Sequence, residues 1–395
     1  MILNPFQLAL PRSVRFGWSV RSQLGPAVRE LGDRAWLVVG SRTLQNSGLV
    51  DDLQDALRSA GVESAVLGGV AREPLVEDVD QTTDKLLRAG VRSGDVIVGL
   101  GGGSAIDLAK AVAAMATNRH GDTVGDFLEG VGRGLTIDHQ PLPIVAIPTT
   151  AGTGAEATRN AVISSTAPRF KKSLRSPHMV PALVLLDPQL TVSCPPRVTA
   201  HSGMDAITQL IESLLSRRAN AFTSALCLEG LARALPTIET VVHCPDDRSA
   251  RGAMSYAAFL SGVALANSGL GLAHGVAAAL GVHCDIPHGL ACAVMLPAAM
   301  RFNRDIGTKE LAQIGRLLDP HRHFPSDDDA ADAAVQGITD LCRRLSIPAT
   351  LEELGVTPSK VDTLVPASHG NSLSGNPRDV SDDELRSVLK SLCIS

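Results

Sequence analysis

Between Trp36 and Asp187 short β-branched runs alternate with helical stretches, and after Pro188 the β-rich runs stop. The runs at 35–39, 64–67, 96–100, 143–147 and 183–186 read as strands, while 50–60, 75–89 and 104–117 carry apolar residues at helical spacing. Strands alternating with helices in this way call for a parallel sheet covered by helices on both faces. Downstream, 199–216, 221–235, 251–266, 272–281, 289–302, 308–318, 329–345 and 382–392 all read as helices, many of them Ala-rich. The expected architecture is an α/β nucleotide-binding domain with a parallel sheet over 1–188, then an all-α domain over 189–395. A length of 395 residues accommodates two domains. The segment PHRHFPSDDD at 320–329 reads as an exposed loop whose charges are solvated.

Composition narrows the partners. Aromatics are 3% of residues, with Tyr256 the single tyrosine, so the core is built from Ala, Leu, Val and Ile and a stacking platform for single-stranded nucleic acid is missing. The formal charge is −5 with no long Lys/Arg block, which argues against nucleic-acid and membrane partners. No apolar run approaches the roughly 20 residues of a spanning helix. The start, MILNPFQLALPRSVRFG, lacks the basic and apolar regions of a signal peptide. Seven cysteines without CxxC spacing fit reduced thiols, so a cytoplasmic location is expected.

The strand run 96–100 ends in Gly99-Leu100-Gly101-Gly102-Gly103-Ser104 and leads into a helical 105–114. Glycines let backbone N–H groups approach a ligand, Ser104 can cap the helix, and the helix N-terminus offers unpaired donors and the positive dipole end. Those are the physical requirements of a diphosphate site, although the same turn also reads as a bare tight turn. It is no P-loop, since no GK[ST] follows, and Ser104 stands where the dinucleotide fingerprint has its third glycine. After the run 143–147, PTTAGTGAE (148–156) offers three threonine hydroxyls at the same sheet edge, where ligands of open α/β sheets bind.

In the second half Asp205, Gln209 and Glu212 fall at i, i+4 and i+7 on one helical face. His274 opens the helix-like HGVAAALG, and His288 stands between Pro287 and Gly289. An Asp oxygen and two imidazoles suit a catalytic divalent ion with an open position, Zn²⁺ or Fe²⁺. Each histidine alone also reads as a hydrogen-bonded structural residue.

Together these residues resemble the iron-containing (group III) alcohol dehydrogenase family. The matching pieces are GGGSAIDLAK (101–110), PTTAGTGAEAT (148–158), SPHMVPALVLLDPQLT (176–191), PPRVTAHSGMDAITQLIES (195–213), GLAHGVAAALGVHCDIPHGLACAVMLP (271–297) and NPR (376–378). The resemblance implies a dehydroquinate synthase-like, two-domain fold with NAD or NADP on the N-terminal sheet, a divalent metal (Fe²⁺ or Zn²⁺) in the helical domain, and the active site in the cleft between them. It implies reversible hydride transfer between the nicotinamide and a small aliphatic alcohol or aldehyde, with the metal polarising the substrate oxygen. Carried over by position, Asp205, His274 and His288 are the metal ligands and catalytic residues, with Gln209 at the place of a fourth. The cofactor residues are Gly101, Gly102, Gly103, Ser104, Asp107, Thr149, Thr150, Thr153 and Lys171, with Lys172 the nearest rival to the last. At least a homodimer is implied.

Three departures from the family pattern matter. Gln209 replaces a usual histidine and is a weaker, neutral ligand, so the site can run on three strong ligands as in the glycerol dehydrogenase-like branch. Ala278 replaces a frequent histidine near the nicotinamide, which removes a proton-relay route; His283 reads as structural. Gly40, Ser41 and Arg42 follow a strand where many members read Thr-Asp, so no carboxylate repels a 2′-phosphate, and Ser41 with Arg42 can bind one. The readings left beside a metal-dependent alcohol dehydrogenase are a glycerol dehydrogenase-like or maleylacetate reductase-like oxidoreductase, a dehydroquinate synthase-type lyase, and a catalytically weakened nucleotide binder.

Overall fold

The computed structural model describes residues 5–393, with the side chain of Arg42 outside the description. The chain divides into two compact units. One is Ala9–Thr150 with Gly154–Ser193; the other is residues 5–8, Ala151–Thr153 and residues 194–393.

The first unit holds a six-stranded sheet built from β1 (Ser13–Phe16), β2 (Arg34–Val39), β3 (Glu63–Gly69), β4 (Asp95–Gly101), β5 (Ile144–Pro148) and, after a hairpin, β8 (Leu183–Leu186). The order is β1-β8-β5-β4-β2-β3 and every pairing is parallel. Alternate residues of β2 show why both faces are covered. Trp36 and Val38 join one core with Val79, Leu86, Leu108 and Val112, whereas Ala35, Leu37 and Val39 join another with Leu24, Val28, Leu53 and Leu57. Central β4 is buried along its whole length, which suits the apolar run that follows Asp95.

The strand order sets the ligand edge. The chain moves outward from β2 to β3, then returns to place β4 on the other side of β2. The carboxyl ends of β2 and β4 therefore flank the switch point of the sheet, the place where open α/β sheets bind ligands. There the Gly40 N–H donates to the Leu100 carbonyl at 2.8 Å.

Two features escape the strand pattern. β1 is a four-residue edge strand, and β6 (Asn160–Thr166) with β7 (Arg169–Arg175) forms a separate antiparallel hairpin rich in polar residues.

The second unit is helical and closes on one core of Ala, Leu, Ile, Val and Met side chains. The helices that matter for the site are Pro196–Leu215, Arg248–Ser268, Leu272–Cys284 and His288–Phe302. Short helices at Ile238–His243 and Val361–Ala367 add to the expected set. The end of the expected loop at 320–329 is instead the start of a helix, Asp327–Arg344, with the Ser326 hydroxyl accepting from the Asp329 N–H. The three aspartates of its first turn complement the helix dipole, and Asp327 and Asp328 pair with Arg316 and Arg304. Among the described residues no disulfide links the seven cysteines, and no single helix is long and apolar enough to cross a membrane.

Candidate metal centre and cofactor loops

β4 runs straight into the helix Gly103–Met115, whose cap position is Gly102 without a side-chain hydrogen bond. Ser104 therefore lies inside the first turn and does not cap the helix, contrary to the expectation; the cap falls two residues earlier, among the glycines. Gly101 has φ +151°, and a Cβ there would come within 2.8 Å of the Ala105 Cβ and 3.0 Å of the Gly40 Cα. Only glycine fits so close an approach of β2 and β4. Thr149 donates its N–H to the Gly101 carbonyl at 2.9 Å, and a Cβ on Gly102 would meet the Thr150 hydroxyl oxygen at 3.3 Å. Gly40, Gly101 to Ser104, Thr149 and Thr150 thus gather at one sheet edge. Ser41 is exposed at the end of β2, while Thr153 belongs to the helical unit.

Two expected cofactor residues are engaged elsewhere in the protein. Lys171 pairs with Glu73. Asp107 accepts the Val162 N–H at 3.0 Å and lies 3.3 Å from the fully buried Lys110. Lys110 donates to the Ala155 carbonyl at 2.8 Å and the Thr158 hydroxyl at 2.9 Å, tying the helix to the loop after β5. Glu156 is buried beside this network, and burial pushes its carboxyl up to about 7.

In the helical unit the Pro196–Leu215 helix presents Asp205 and Glu212, two turns apart. His274 sits between them, with Nε2 3.2 Å from Asp205 Oδ1 and Nδ1 2.7 Å from Glu212 Oε2. His288 Nε2 lies 3.9 Å from the same Asp205 oxygen. Gly289 permits this approach, since a Cβ there would stand 2.4 Å from the His201 carbonyl oxygen. The structure also brings in Cys292, one turn after His288, with Sγ 3.8 Å from His288 Nε2. The four donor groups Asp205, His274, His288 and Cys292 lie within 4.8 Å of one another.

Gln209 makes two hydrogen bonds to groups outside this cluster. Its Oε1 accepts from the Ser261 hydroxyl at 2.7 Å and its Nε2 donates to the Thr153 carbonyl at 3.3 Å. Glu212, singled out by its i+7 spacing but given no role, accepts the Ala273 N–H at 2.6 Å as well as His274 Nδ1.

Charge explains what this cluster is for. Burial opposes ionisation of Asp205, yet the hydrogen bond with His274 and the nearby imidazoles outweigh it and hold the carboxyl below its ordinary range. Burial likewise opposes a charge on His274, but Cys292, Asp205 and Glu212 together hold its imidazole well above the usual value. Burial pushes the Cys292 thiol up to about 11. A buried carboxylate, two imidazoles and a buried thiol, with His288 half-buried, make a donor set that suits a divalent cation. The Glu212–His274 contact is the outer-shell pattern that fixes a ligating imidazole in one tautomer.

The chain matches the family described as "Iron-containing alcohol dehydrogenase" over residues 11–188 and its C-terminal counterpart, "Fe-containing alcohol dehydrogenase family, C-terminal", over 199–393. It is 32% identical to the long-chain-alcohol dehydrogenase 1 of Geobacillus thermodenitrificans over 97% of this chain and 96% of that protein. It is 33% identical to the 1,3-propanediol dehydrogenase of Klebsiella pneumoniae, covering 99% of each. Among solved structures, a 1,3-propanediol oxidoreductase superposes with a TM-score of 0.91 at 32% identity, over 98% of this chain and 100% of that one.

Proposed function

The chain is a member of the iron-containing alcohol dehydrogenase family, and from that premise we propose that Asp205, His274 and His288 hold its divalent ion while the Gly101–Ser104 turn, with Thr149 and Thr150, receives the diphosphate of its cofactor. It is an NAD(P)-dependent oxidoreductase that interconverts alcohols and aldehydes. When bound, the nicotinamide exchanges the hydride and the ion polarises the substrate oxygen.

The residues divide the remaining work. Asp205 supplies the anionic charge at the metal centre, and Glu212 directs His274 Nε2 toward it. Gly102 at the cap leaves the first-turn backbone donors of the following helix facing a ligand without a competing side chain. Ala278 carries no titratable group, so that side chain offers no proton relay. The substrate class we favour is a small aliphatic alcohol or aldehyde, since the helical unit offers few aromatic side chains to embrace a planar one.

The observation that carries this reading is the buried Asp205 carboxylate facing two imidazoles. It is tested by metal analysis of the purified protein and by following nicotinamide absorbance with a panel of alcohols and aldehydes after adding Fe²⁺, Zn²⁺ or Mn²⁺. Stoichiometric cofactor consumption supports a dehydrogenase, whereas product formed without net cofactor consumption indicates the lyase class. Cofactor binding with no metal uptake and no turnover overturns the reading in favour of a nucleotide binder. We further propose a homodimer, because β1 is an edge strand bearing an exposed Val14, with an exposed Leu10 just before it; sedimentation reads this directly.

A further inference from the structure

The metal-holding group contains a donor that the spacing of Asp205, Gln209, His274 and His288 does not announce. Cys292 follows His288 by four residues on the His288–Phe302 helix, which places both on one face. Its thiol is fully buried. A tetrahedral ion with nitrogen or oxygen donors at about 2.0–2.1 Å and sulfur at about 2.3 Å sets its donors roughly 3.3–3.6 Å apart. The separations here are 3.2 Å for His274 to Asp205, 3.9 Å for His288 to Asp205 and 3.8 Å for Cys292 to His288. Shifts of about half an ångström or less bring these three edges to the ideal figure, and all the donor atoms lie within 4.8 Å of one another. Gln209 is held by other partners, its Oε1 accepting from the Ser261 hydroxyl at 2.7 Å and its Nε2 donating to the Thr153 carbonyl at 3.3 Å.

We propose that Cys292, not Gln209, is the fourth protein ligand, giving an Asp-His-His-Cys centre whose preferred ion is Zn²⁺. The proposal rests on the metal-dependent reading above. A thiolate donor would favour zinc over harder divalent ions, and a bound zinc would supply Lewis-acid chemistry to a substrate oxygen. On binding, the Cys292 S–H bond gives its proton to solvent and the sulfur electron pair bonds to the ion.

X-ray absorption at the zinc edge of the zinc-loaded full-length protein tests this without any variant. One sulfur at about 2.3 Å beside nitrogen and oxygen donors at about 2.0–2.1 Å is expected. Cys292→Ser should lose the sulfur shell and bind Zn²⁺ at least about 10–100-fold more weakly, the cost of removing even an outer-shell partner. Gln209→Ala should keep the sulfur shell. In cobalt-substituted protein the sulfur-to-metal charge-transfer band should be present and should vanish in Cys292→Ser. Zinc bound by nitrogen and oxygen alone in the unaltered protein overturns the assignment of Cys292 and leaves the metal-dependent reading standing. Failure to take up any divalent ion overturns both.

Discussion

Glu212 Oε2 lies 2.7 Å from His274 Nδ1, and the other oxygen of the same carboxylate accepts the Ala273 N–H at 2.6 Å. One acid from the Pro196–Leu215 helix thus satisfies the first turn of the Leu272–Cys284 helix, whose own cap, Gly271, has no side chain to do so. In the same contact it decides which ring nitrogen of His274 turns to Asp205. A Cβ at 271 would stand 3.0 Å from Glu212 Oε1, so a larger residue there would push on this carboxylate.

Replacing Glu212 by Gln keeps the shape of this contact and removes its charge. Metal affinity should fall about 10–100-fold, read by competition against a chelator. The far-ultraviolet circular dichroism should be unchanged, because the amide oxygen still accepts the Ala273 N–H. Unaltered metal affinity would show that Glu212 serves the helix terminus alone.

Stability should carry the mark of Glu156. Burial raises its carboxyl from 4.5 to about 7, against the opposing pull of its own backbone N–H and of Lys110. The folded state therefore binds more protons than the unfolded state between those values. Its stabilising contribution is full below about 4.5 and is lost as pH rises through about 7. Glu156→Gln lacks the titration. The stability of the unaltered protein relative to this variant should drop by about 3 kcal/mol across that window, measured by urea unfolding of both at several pH values. Curves that stay parallel would place the carboxyl near its ordinary value.

The turn after β4 gives a prediction about cofactor affinity. Alanine at 101 adds a Cβ within 3.0 Å of the Gly40 backbone at φ +151°. Strain of this kind costs about 1–3 kcal/mol, and β2 and β4 must part at the ligand edge to relieve it. Gly101→Ala should weaken NAD(P)H binding about tenfold or more in a fluorescence titration while leaving metal content unchanged. Equal losses of metal and cofactor would mean that the variant has disturbed the whole protein instead.

What the sequence revealed and what it concealed follow from the range of the interactions. The β4 turn was legible because strand, glycines and helix are consecutive, and the parallel sheet because each of its inner strands is an apolar run. β1 and the β6–β7 hairpin were not, since an edge strand and a polar hairpin lack that apolar signature. Asp205, His274 and His288 were found as a family pattern. The nearness of Cys292 to these three is not legible in the sequence, because an isolated cysteine among Ala and Leu reads as a small hydrophobe. The role of Glu212 and the burial of Glu156 depend on partners brought together by folding, Ala273 and His274 in one case and the loop after β5 in the other.

Choice of cofactor turns on the end of β2. The chain reads Gly40-Ser41-Arg42 there, with no carboxylate to accept from the adenosine ribose hydroxyls or to repel a 2′-phosphate. Gly40 is fixed against β4 through the Leu100 carbonyl, and the exposed Ser41 immediately precedes the short helix Arg42–Gln45 at that sheet edge. A hydroxyl and a guanidinium in sequence can receive a phosphate through charge-assisted hydrogen bonds. NADPH should therefore serve at least as well as NADH in aldehyde reduction. Arg42→Ala should raise the KM for NADPH selectively, by the factor of about 10 that a charge-assisted contact of 1.5–3 kcal/mol supplies at its lower bound. The measurement is kcat/KM for both cofactors in the unaltered protein and the variant. Equal losses for NADH and NADPH would remove Arg42 from phosphate recognition and leave it a solvated side chain.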